Sequence, residues 1–125
     1  MKSGLDNFVP KGWGYEKWIC NNEFYCGKIL FMVKGKKCSW HYHKEKDEVF
    51  YVHKGKISLK YIPHDSLLPD TDDINMAYVT ELEPGDTFRV LPGTRHQMLA
   101  LEDTELFEFS TTHRDSDSYR IKKGD

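Results

Sequence analysis

His41 and His43 stand two residues apart in the stretch SWHYHKEKDEVFYVHKG, and Glu48 follows shortly after them. Side chains two apart on a strand point the same way, so the two imidazoles share a face, and Trp40, Tyr42 and Lys44 take the other. Glu48 opens the next strand-like run, and if segments 37–43 and 47–53 pair, its carboxylate meets both rings. A further histidine, His96, begins a run just after a Pro-Gly turn in GDTFRVLPGTRHQML. Three imidazole nitrogens and one carboxylate oxygen suit a single first-row divalent ion with open positions left for water or substrate; Zn, Mn, Fe and Ni all accept this donor set.

The elements that must position these residues read as strands. Short apolar or alternating runs recur, each closed by turn residues: KILFMV (28–33), EVFYVH (48–53), KISLKYI (56–62), MAYVTEL (76–82), TFRVL (87–91), HQMLAL (96–101) and ELFEFS (105–110). No long segment carries the i, i+3, i+4, i+7 pattern of a helix. Many short strands at this spacing predict an all-β sandwich or barrel. Lys54-Gly55 reads as a tight hairpin joining 48–53 to 56–62. The stretch 63–75, with acids and two prolines, reads as an exposed loop, and so does the KEKD turn at 44–47. The 125 residues suit one domain, 1–125, with a core over about 13–112 and ends, 1–10 and 115–125, that fray.

Composition narrows the function classes. A formal net charge of -2 gives no basic field, so a nucleic-acid partner is not expected. No apolar run is long enough for a signal peptide or membrane helix, and no membrane partner is expected. Three cysteines, Cys20, Cys26 and Cys38, form no CxxC pair and no even framework. The expectation is a reduced, cytoplasmic protein.

The metal motif resembles that of the cupins. The first cupin motif, Gly, five residues, His-x-His, three or four residues, Glu, six residues, Gly, reads here as GKKCSWHYHKEKDEVFYVHKG, with Gly35, His41, His43, Glu48 and Gly55 in place. The second motif runs from Gly85 to His96 and includes Gly93. Pro92 falls one residue later than usual, with Leu91 at the expected spot, and Ala100 replaces a frequent asparagine. Neither departure touches a ligand position. The resemblance implies a double-stranded β-helix, or jelly-roll barrel, with the metal in its mouth, bound by His41, His43, Glu48 and His96. The flanks KGWGYEKWI (11–19) and FEFSTTHRDSDSYRI (107–121) are similar to those of phosphomannose-isomerase-type cupins. That similarity implies a sugar or sugar-phosphate substrate and carbohydrate metabolism. A homodimer is implied by the family, with Trp13–Ile19 helping to form it.

The remaining candidates follow from strand alternation. Glu108 shares a face with Leu106, an acid in an apolar strand, and is the candidate general base, since burial raises a carboxyl pKa. Lys28 shares a face with Leu30 and Met32 and is a candidate donor to a substrate hydroxyl. Arg95, in the turn before His96, is a candidate anion holder. Tyr25 and Arg89 are candidate rim residues. His53 and His64 are read as outside the site, and His113 as a non-ligand near its rim. Three functions fit: a metal-dependent isomerase moving a proton through an enediol, an Fe(II) dioxygenase, and a non-catalytic metal or carbohydrate-binding module.

Overall fold

The structure is a computed structural model that describes residues 7–125; the expected fraying of the first residues lies, for 1–6, outside the described part. In chain order, β1 (Phe8–Lys11), β2 (Gly14–Asn21), β3 (Cys26–Met32), β4 (Trp40–His43), β5 (Glu48–Lys54) and β6 (Ile57–Ile62) are followed by a single 3-10 turn at Ile74–Met76. Then come β7 (Tyr78–Leu82), β8 (Thr87–Val90), β9 (Arg95–Ala100), β10 (Thr104–Ser110), a second 3-10 turn at Asp115–Asp117, and β11 (Ser118–Lys122). One sheet has the order β1-β2-β3-β10-β5-β8 and the other β11-β4-β9-β6-β7, every pairing antiparallel.

The core lies between the sheets and follows from alternation. In β3, β5 and β10 every second residue is buried, and Leu30, Met32, Phe50, Val52 and Leu106 meet Ile57, Leu59, Met98 and Ala100 from the other sheet. Each such fully buried aliphatic side chain contributes roughly 1.5–3 kcal/mol. The same inward phase continues along β3 to Lys28, along β5 to Glu48 and along β10 to Glu108. One end of the sandwich is therefore apolar and the other is lined by charge.

Several expectations are corrected. β4 and β5 do not pair: β4 lies between β11 and β9, while β5 lies between β10 and β8. Lys54-Gly55 is likewise no hairpin, because β5 and β6 belong to different sheets and the turn carries the chain across the sandwich. Gly55 is required there: its φ is +95°, and a Cβ would collide with the Asp103 carbonyl and Thr104. The end of the chain does not fray over 118–122, which form β11 beside β4. The 63–75 loop is partly anchored, since its Asp72 carbonyl accepts the indole N–H of fully buried Trp40 at 2.8 Å. The three cysteines are free thiols. No helix among the described residues is long and apolar enough to cross a membrane.

Candidate metal centre and acid–base cavity

His41 and His43 come from β4 and His96 from β9, at a position directly opposite His41. The strand pairing sets one histidine beside another, and the two-residue period adds the third. One ligand atom from each ring lies within 4.8 Å of the others. The orientation of each ring is fixed from behind. His41 Nδ1 is bonded to the Ser39 carbonyl at 2.9 Å, His43 Nδ1 to the Asp117 carbonyl at 3.0 Å and His96 Nδ1 to the Thr94 carbonyl at 3.0 Å. A carbonyl only accepts, so each Nδ1 carries a proton, which leaves each Nε2 as the ring atom turned to the shared centre.

Glu48 reaches this group across the sandwich from β5. Its carboxylate oxygens are 3.4 Å from His96 Nε2 and 3.7 Å from His43 Nε2. His96 Nε2 is buried without a hydrogen-bond partner, which a protein ordinarily avoids. Three imidazole nitrogens, one of them an unpartnered buried atom, and a carboxylate fit a divalent cation at this point. Burial lowers the pKa of His41 well below the ordinary value, and burial lowers that of His43 to about 4, so both rings stay neutral and competent as ligands at pH 7.

This neutrality has a measurable consequence in the metal-free protein. A buried histidine whose folded pKa is depressed loses stability as pH falls, because the unfolded chain takes up the proton first. For His43 the window runs from 6.5 down to about 4 and corresponds to about 3 kcal/mol. His41 adds in the same sense, and Glu108, whose folded pKa is raised, opposes. Urea unfolding of chelator-treated protein is expected to show a clear loss of stability between pH 7 and pH 4; equal or greater stability at pH 4 would contradict buried neutral imidazoles.

Beyond the histidines lies a cluster that the sequence conceals. Lys46 is 3% exposed, with its ammonium 3.2 Å from Glu48 Oε2, 2.7 Å from Glu108 Oε2 and 3.1 Å from His113 Nδ1. Three acceptors thus surround a group with three N–H donors. The turn carrying Lys46 is held by Asp117, whose carboxylate accepts the backbone N–H groups of Lys44, Glu45 and Lys46 at 2.9–3.2 Å. Asp117 therefore fixes both the turn, through its side chain, and His43, through its carbonyl. His113 donates its Nε2–H to Asp115 at 2.9 Å.

Glu108 is 4% exposed, and Lys28 is 3% exposed beside it at 4.0 Å. Lys28 also lies 3.8 Å from Glu16 and 4.1 Å from the centre of the Trp18 ring. Burial raises the Glu108 pKa, the nearby charge of Glu48 raises it further, and Lys46 and Lys28 oppose. Burial also acts to raise that of Glu48, but the adjoining His96 and the Lys46 ammonium outweigh it and hold the group well below the usual carboxylate range. Two carboxyl groups on one lysine are thereby driven apart, Glu48 downward and Glu108 upward. The three histidines, Glu48, Lys46, Glu108, Lys28 and His113 line one cavity of about 1010 Å³ between the two sheets.

The other sequence candidates lie elsewhere. Arg95 neighbours His96 on β9 and so points to the opposite face, where it pairs with Asp72 at 2.9 Å and lies over the Tyr42 ring at 3.7 Å. Arg89 pairs with Asp47 on the outer surface, and Tyr25 is 58% exposed ahead of β3. Arg95, Arg89 and Tyr25 do not line the cavity. His53 is outside, bonded to Glu105.

A family model for cupins matches residues 29–122, and the chain belongs to that family. Solved structures share the fold at low identity. KdgF from Halomonas sp. superposes with a TM-score of 0.64 at 20% identity, covering 82% of this chain and 81% of that one. CapF, a capsular polysaccharide assembling protein from Staphylococcus aureus, gives 0.73 at 14% identity over 96% of this chain and 33% of its own. Oxalate decarboxylase from Bacillus subtilis gives 0.72 at 14% identity over 95% and 33%. The chain thus spans about a third of the CapF and oxalate decarboxylase chains.

Proposed function

We propose that this cupin is a metal-dependent isomerase of a sugar or sugar phosphate, with His41, His43, His96 and Glu48 holding one divalent ion. The observation that carries the reading is Glu108: a buried carboxyl on the cavity wall, in contact with the same lysine that binds the ligand Glu48. A bound ion would supply Lewis-acid polarisation of a substrate carbonyl. Glu108, with its raised pKa, takes the proton from the adjacent carbon and returns it to the neighbouring one through an enediol. Lys28 donates to a substrate hydroxyl, and Lys46 keeps Glu48 and Glu108 in place. The similarity to CapF, which assembles capsular polysaccharide, supports the carbohydrate side of this reading.

The test is a panel of aldoses, ketoses and their phosphates in deuterated water. The expected result is product carrying deuterium at C2. Absence of turnover across the panel, or oxygen uptake with Fe(II) in its place, would overturn the isomerase. A homodimer belongs to the same reading. The outer face of the six-stranded sheet offers the stacked pairs Tyr15–Phe31 and Tyr51–Phe107 together with exposed Phe109. Sedimentation at twice the chain mass is expected, and a monomer at micromolar concentration would refute it.

A further inference from the structure

We propose that Lys11, Arg120 and Lys123 form an anion subsite at the mouth of the cavity, selecting a small polyol substrate that carries a phosphate or carboxylate group. This rests on reading the cavity as a substrate site and adds the substrate's charge and its orientation.

The placement follows from the sheet edges. β1 ends one sheet and β11 ends the other, and the cavity opens between these edges. Arg120 is directly opposite His41 in the β11–β4 register, and Ser118 is opposite His43. Arg120 therefore takes the inward phase of the two histidines, while Tyr119 turns outward and stacks on Tyr42. On the facing edge Val9 lies opposite Glu16, which points to Lys28, so Val9 and Lys11 share that inward phase. Lys123 continues the same wall just beyond β11, and all three cations line the cavity.

None of the three is held in a close ion pair among the described residues. Each carboxylate lining the cavity has a partner nearby. Glu16 accepts the Trp18 indole N–H, Glu48 and Glu108 hold Lys46, Asp115 accepts from His113, and Asp125 accepts the backbone N–H of Lys37. Among the described residues, Lys11, Arg120 and Lys123 make no ion pair. The deep end of the cavity holds its own ion pairs, and the mouth carries three cations against two aspartates, Asp115 and Asp125, an excess of positive charge. Arginine's planar fork matches the paired oxygens of a phosphate or carboxylate, and two flexible lysines complete the charge. A substrate with an anionic end at the mouth places its polyol end toward the histidines and Glu108.

Tryptophan fluorescence gives a direct readout, because Trp13 and Trp18 line the same cavity. The protein as purified is titrated with fructose 6-phosphate, glucuronate and neutral fructose. At least one anionic sugar is expected to bind tenfold or more tightly than fructose, and the stronger of the two identifies phosphate or carboxylate as the group. The Lys11→Gln/Arg120→Gln variant is expected to lose at least tenfold for the anionic sugar, with metal content unchanged. Lys123→Glu should weaken binding in the same direction. Equal binding of neutral and charged sugars, undiminished binding by the variants, or no binding of any of the three overturns the subsite. Turnover of a neutral sugar without charge preference would defeat this subsite alone. Charge-selective binding without turnover would defeat the isomerase alone.

Discussion

Glu108→Gln is expected to reduce isomerisation by about 10²–10⁴-fold, the range that a positioned general base contributes. The amide has the shape of the carboxyl and still fills the space beside Lys46, but it cannot take up a proton. The loss should fall on kcat, with KM little changed, because the proton transfer is made in the transition state and the ground-state contacts survive. Some stability should be lost, since buried Lys46 gives up one of its two carboxylate partners and keeps Glu48. Metal content should stay at the wild-type level because the ligands remain. Deuterium exchange at C2 is the sharper readout, and it should vanish with turnover. A variant that still exchanges C2 deuterium at the wild-type rate would remove Glu108 from the chemistry.

Lys46→Met is expected to lower the stability of the metal-free protein by about 3–5 kcal/mol, the cost of leaving buried charges without their partner. Burial acts to lower the Lys46 pKa, but Glu48 and Glu108 together raise it above the ordinary lysine value. A raised lysine pKa contributes stability that is fully present below the unfolded value and lost only as pH rises through the folded one, so at pH 7 the whole contribution is there to be removed. Methionine keeps much of the length and apolar stem but leaves Glu48 and Glu108 facing each other. The penalty should shrink at lower pH, where Glu108 takes up a proton. Adding a divalent ion should recover part of it through Glu48. An exposed turn lysine would change stability by no more than about 0.5 kcal/mol, and such a result from chemical denaturation would contradict the buried clamp.

The contrast between these two residues shows what alternation can and cannot convey. Glu108 was legible because it breaks an apolar strand in the inward phase of Leu106. Lys46 was not, because KEKD has the composition of a solvated turn, and its inward course is set by Asp117, seventy-odd residues away, accepting three N–H groups of that turn. The histidines were readable from a two-residue period and from motif spacing. Motif spacing also points to Glu48, but the strand pairing expected to deliver it does not form; it arrives from the opposite sheet, since a sequence period reports the face of a strand and not its neighbour. Arg95 illustrates the reverse: its adjacency to His96 puts it on the other face by the same period. The sequence hides β11, because its charged residues, Arg120 and Lys122, and its short length resemble a tail. Its pairing with β4 is a long-range contact that no local pattern encodes.

Elemental analysis of protein purified without a metal-affinity step tests the central claim most directly. The arrangement of three Nε2 atoms and Glu48 predicts close to one divalent ion per chain in the wild type. It predicts loss of that ion in the His41→Ala/His43→Ala/His96→Ala variant, with the β-rich circular dichroism spectrum retained. Full metal occupancy in the folded triple variant would contradict the ligand assignment.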